Sequence, residues 1–99
     1  MINATAVNAI TSGENEKVKW WEKNGVVTVK LKSGVICNTN EVVATNLPPS
    51  ITGESCRFIG VQTNNVTLRH FIIDTNGNLT TQFSYTNATT APIFGMYQC

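Results

Sequence analysis

The side chains able to do chemistry in this 99-residue chain are few. There is one histidine, His70, one aspartate, Asp74, five glutamates, three cysteines and an adjacent tryptophan pair, Trp20-Trp21. His70 and Asp74 stand four residues apart in a run rich in β-branched residues. On a strand that spacing puts them on one face but about 13 Å apart at the usual rise, too far for a direct acid–base dyad. No motif gathers a serine or cysteine nucleophile around His70. The glutamates fall mostly in a charged lead-in and in loops, a setting for solvated surface and not for two carboxylates facing across a cleft. Glycine-rich phosphate loops and metal-ligand spacings are absent. The chain is therefore expected to be no enzyme, with no catalytic residue, no metal and no cofactor.

What remains suits a binding surface. His70 on an outward face can donate and accept hydrogen bonds, with a packed or interface histidine as the alternative. Trp20-Trp21 places one indole on each side of a strand. One belongs to the core; the other is incidental surface, a stacking platform for a sugar ring or a subunit contact. Arg69, among Phe71 and Ile73, either caps the end of the fold or pairs with a carboxylate. Cys37, Cys56 and Cys99 are odd in number and match no zinc pattern, so three reduced thiols are expected, with Cys99 the most exposed. Asn-x-Thr sequences at Asn3, Asn65, Asn78 and Asn87 arise readily in a chain with 12 Asn and 14 Thr.

The elements that must position these groups are strands. Val27, Val29 and Leu31 alternate with Thr28, Lys30 and Lys32, giving a buried and a wet face. Asn24-Gly25 joins this run to Lys17–Lys23, and Asn76-Gly77 joins Val66–Asp74 to Leu79–Tyr85; Asn and Gly tolerate the positive φ of tight hairpin turns best. Short strands are expected at Val35–Cys37, Arg57–Gln62 and Pro92–Gln98. Pro48-Pro49 marks an extended connection, because prolines cannot sit in a central strand. Seven or eight strands at this spacing predict an antiparallel sandwich or barrel.

The strand before Asn76-Gly77 is apolar on both sides. Val66, Leu68, His70, Ile72 and Asp74 share one face; Thr67, Arg69, Phe71, Ile73 and Thr75 share the other. Such a strand is covered on both sides, and in so short a chain the second cover is expected to be another copy, with Leu68, Ile72 and Val66 at the contact.

A charge of +1 without a basic cluster argues against nucleic acid. No apolar run is long enough to span a membrane as a helix. Residues 1–12 lack the basic start and apolar core of a signal peptide, so the chain is expected to stay where it is made or to be a piece of something longer. Residues 1–15 read as a lead-in and 16–99 as one domain.

The succession "NGVVTVKLKSGVI", "ATNLPPSI", "FIGVQ", "HFIIDTNGNLTT" and "IFGMYQ" resembles the C-terminal head domains of receptor-binding and tail-fibre (baseplate) proteins from phages of Gram-positive bacteria. The resemblance covers roughly residues 16–99. It implies a compact antiparallel β-barrel head of about seven strands, assembled as a homotrimer at the virion's tail tip beside other tail or baseplate proteins. It also implies assembly in the bacterial cytoplasm and binding of a host cell-wall or surface polysaccharide. His70 stands at the offset from Gly77 at which the family places a saccharide-binding histidine. The family's acidic residue two positions further is Ile72 here, its aromatic pair is Thr81 and Gln82, and Pro49-Ser50-Ile51 replaces its arginine-containing segment. His70, Trp21, Asp74, Gln82 and Arg69 are the expected saccharide-binding residues. The alternatives are a purely structural trimerisation or tip module and, behind it, a small polysaccharide hydrolase.

Overall fold

Short alternating segments punctuated by Asn, Gly and Pro become eight β-strands, with no helix among the described residues. The computed structural model describes residues 11–62, 68–84 and 92–99. The strands are β1 (Ser12–Glu14), β2 (Val18–Lys23), β3 (Val26–Leu31), β4 (Val42–Ala44), β5 (Cys56–Gln62), β6 (Leu68–Ile73), β7 (Leu79–Thr81) and β8 (Ile93–Gln98). They form one antiparallel sheet in the order β1-β2-β3-β8-β5-β6-β7-β4. The sheet curls into a half-barrel around its core.

The alternation read from the sequence sets the inner face. Val27, Val29 and Leu31 of β3 are fully buried, as are Phe71 and Ile73 of β6, Leu79 of β7 and Ile93 of β8. Val18 and Trp20 of β2 join them, so Trp20 is the core indole and Trp21 the outer one. Phe58 stacks on Phe71 with centroids 5.2 Å apart, and Phe83 meets Phe71 edge-on at 5.4 Å. Two opposed glycines, Gly60 and Gly95, make room for this cluster. A Cβ on Gly60 would lie 2.7 Å from both Phe71 and Ile93 side chains. Full burial of a side chain such as Phe71 contributes about 2–3 kcal/mol.

The first hairpin is as expected. Asn24 (φ 54°) and Gly25 (φ 81°) both take positive φ, the signature of a two-residue type I′ turn. The second differs, because of the two only Gly77 is in that region (φ 82°). Asp74 is the reason: its Oδ1 accepts from the N–H groups of Asn76 (2.8 Å) and Asn78 (2.9 Å), holding a longer turn that ends in Gly77.

Two further expectations are corrected. Val35–Cys37 is not a strand; a single bridge at Cys37, whose side chain is buried, anchors an irregular connection. Nor, among the described residues, does the sheet close into a barrel by hydrogen-bonded pairing. Its edge strands β1 and β4 have three residues each, and β4 shifts register between Val42 and Ala44. Strands that short cannot extend a ladder to each other, and side chains bridge them instead. The expected strand residues Val66 and Thr67, Tyr85 of the returning strand, and the lead-in before residue 11 lie outside the described residues.

Candidate functional site

Two features of the sheet stand out, one on its outer face and one where its edges meet. The outer face is fixed by register. Trp21 pairs with Thr28, Thr28 with Met96, and Ile59 with His70. The pairing of Gly60 with Gly95 sets Ile59 beside Met96. One row, Trp21–Thr28–Met96–Ile59–His70, thus crosses five strands, and Gln82 follows, its N–H donating to the His70 carbonyl (2.8 Å). The row beside it runs Lys19–Lys30–Phe94–Val61–Leu68. Ile59, Val61, Leu68, Phe94 and Met96 are 37–62% exposed and contiguous across β8, β5 and β6. The charged side chains on this face of β2, β3, β5, β6 and β8 are Lys19, Lys23, Lys30 and Arg57, all cationic. Lys30 sits over the Phe94 ring at 5.9 Å, a cation–π contact at the patch margin.

The expected site residues are only partly brought together. His70 and Gln82 are neighbours, with Leu68 and Ile72 on the same face of β6. Trp21 shares their row but lies four strand spacings away, roughly 19 Å along the sheet. Asp74 is committed to its turn, whose N–H groups, that of Asn78 foremost, hold its carboxyl below the usual range. Gln82 donates to Asn40 Oδ1 (2.6 Å). Arg69 is on the opposite side of β6. Its guanidinium lies 5.6 Å from the Phe83 ring centroid and donates to Gln62 Oε1 (3.3 Å), so it caps the core. Val66 lies outside the described residues. No disulfide joins Cys37, Cys56 and Cys99, and Cys99 is half-buried against the core, not the exposed thiol expected.

The second feature is the seam between β1 and β4. Among the described residues β1 has a strand partner only in β2, and β4 only in β7. Asn15 spans the gap: its amide donates to the Val43 carbonyl (2.9 Å), while its Oδ1 accepts from the N–H groups of Lys17 and Val18 (2.8 Å each). Lys17 and Glu41 form an ion pair across the same gap. That ammonium, then the Asn38 N–H, lowers the Glu41 pKa. On the side of Asn46 a cavity of ≈ 310 Å³ opens over Val18, Trp20 and Ala44, rimmed by Ser12, Glu14, Thr45 and Asn46. On the side of Glu41 a second, of ≈ 380 Å³, shares Asn15.

Sequence reasoning found neither the seam nor Ile59, Val61, Phe94 and Met96 as surface. A signal for the latter existed, since β5 and β8 carry large apolar residues at positions alternating with Phe58, Ile93 and Tyr97. Among the described residues no group of three His, Cys, Asp or Glu is placed to hold a metal ion. No helix there is long and apolar enough to cross a membrane. No protein-family model and no curated protein matches the chain, so the site is read from its own residues.

Proposed function

We propose that the chain is the head domain of a phage or prophage tail receptor-binding protein, a homotrimer that holds a host cell-surface saccharide without chemistry during adsorption. The observation that carries this reading is the outer face. A sheet with a complete core on one side presents five large, exposed apolar side chains on the other. Patches of this kind mark association surfaces, and a sheet apolar on both faces calls for cover on both. Three joined heads would also turn a weak saccharide contact into avid attachment to a repeating polymer. In this reading the chain sits at the virion's tail tip among other tail or baseplate proteins, and His70 offers a hydrogen-bonding group at the edge of the patch.

A second reading, a structural trimerisation or tip module, is favoured by the way Asp74 and Gln82 spend their polar atoms within the fold. Two measurements separate the readings. Light scattering should give about 32 kDa, three times 10.8 kDa; a stable monomer at micromolar concentration removes the trimer. Pull-down with wall polysaccharide from Gram-positive cells should retain the parent protein and lose His70→Ala or Trp21→Ala. A trimer that retains no polysaccharide is the structural module. Release of soluble sugar from purified polysaccharide makes the protein a hydrolase instead.

A further inference from the structure

We infer that the seam between β1 and β4 is a saccharide-binding cleft, contained in one protomer, for a neutral, hydroxyl-rich chain of about two sugar units. The inference rests on the receptor-binding reading and adds, at the seam, a sugar contact separate from the His70 face.

Four observations carry it. First, the two cavities meet at Asn15, and each lies at the lower end of the size of small-molecule sites. Second, the cleft has backbone that no described strand pairs. Thr11 and Asn15 direct their backbone groups to β2, so by alternation Ser12 and Glu14 turn their N–H and C=O groups toward the gap. Third, the cleft pairs an apolar floor with a polar rim. Trp20 lies tight beneath Gly13, where a Cβ would sit 2.4 Å from its Nε1. The Ser12 and Thr45 hydroxyls and the Asn46 amide stand around it. Sugar rings need this combination, C–H faces against apolar surface and hydroxyls against donors and acceptors.

Fourth, three of the four charged residues lining the cleft are in ion pairs, and the fourth, Glu16, is an anion. Glu14 pairs with Lys32 (2.6 Å) and Lys17 with Glu41. That argues for an uncharged ligand over a phosphate-bearing one. An extended peptide is disfavoured because β1 and β4 offer three residues each and β4 breaks register, too little for a ladder.

The test uses Trp21→Phe, which leaves Trp20 as the sole indole emitter. This protein is titrated with neutral mono- and disaccharides, with glycerol phosphate and with an extended Thr/Val peptide. A saturable change in Trp20 emission with a neutral disaccharide is expected. Asn46→Gly keeps the left-handed backbone of Asn46 (φ 66°) while removing its amide; Thr45→Ala removes a hydroxyl at an exposed position. Each should weaken binding about 2- to 10-fold, the effect of one lost hydrogen bond. A response confined to glycerol phosphate or the peptide overturns the inference. A response lost in His70→Ala but kept in Asn46→Gly also overturns it, while leaving the receptor reading intact. No response to any sugar overturns the cleft; polysaccharide pull-down with the parent protein then decides the receptor reading separately.

Discussion

The outer face and the seam belong to one sheet and are incomplete in opposite ways. The face is apolar, rimmed by cations and built on strands that pair with neighbours on both sides; what it lacks is a cover. The seam is polar, with most of its charges paired and its backbone edges open among the described residues; what it lacks there is a strand. An apolar, laddered surface gains by excluding water over a wide area, which suits another folded protomer. An open edge beside an aromatic floor gains by exchanging water for specific hydrogen bonds, which suits a small polar ligand. The contrast separates assembly from recognition and lets each be broken without the other.

The largest effect is expected on assembly. Ile59→Glu with Met96→Glu would bury two carboxylates in the proposed contact, each costing several kcal/mol without a partner. The mass by light scattering should fall to 10.8 kDa, and Trp20 should keep its sugar response. An unchanged mass would mean that the face is not the contact. Next comes the inner side of the same strands: Phe71→Ala should cost about 3–5 kcal/mol in chemical denaturation. Asn15→Ala removes the amide that ties Val43 to the β1 end and should cost about 1–3 kcal/mol, shift Trp20 emission to the red and leave the mass alone.

Acid should act on the seam in the same sense. The folded pKa of Glu41 is lowered, chiefly by the Lys17 ammonium. Its contribution is therefore complete above the unfolded carboxylate value of about 4.3 and is lost as pH falls through the lower folded value. Trp20 emission in Trp21→Phe should change below about pH 4.3, and Glu41→Gln should remove that part of the titration. The smallest effect is a control outside both features: Asn24→Ala, at a positive-φ position, should cost about 1 kcal/mol and alter neither mass nor sugar response.

The parts of this molecule that could be read in advance are local. Alternation gave Val27, Val29 and Leu31 to the core, and Asn24-Gly25 announced its turn, because each depends on neighbours within a few positions. The two apolar faces of β6 were also visible, and with them the need for a second cover. The seam was not, because it exists only once the sheet order puts β1 and β4 at opposite edges and the curl returns one to the other. Asn15 bonds 28 positions away, and nothing in its neighbourhood forecasts that partner. The row from Trp21 to His70 depends on four successive registers, and a slip of one residue in any of them would turn its members inward. The turn role of Asp74 was not legible: its Oδ1 accepts from the N–H groups of Asn76 and Asn78, a choice its place at the end of an apolar strand does not announce.

The position of β8 bears on how the protein is made. β8 lies between β3 and β5, and among the described strands it alone joins the β1-β2-β3 group to the β5-β6-β7-β4 group by strand pairing. Leu31 waits for Ile93, sixty-two positions later in synthesis. Until residues 93–98 emerge from the ribosome, β3 and β5 each hold an unpaired edge, the kind of edge that sticks to other chains. Folding of the whole sheet is thus a late, long-range event, and the nascent chain must be kept from its neighbours until the joining strand arrives.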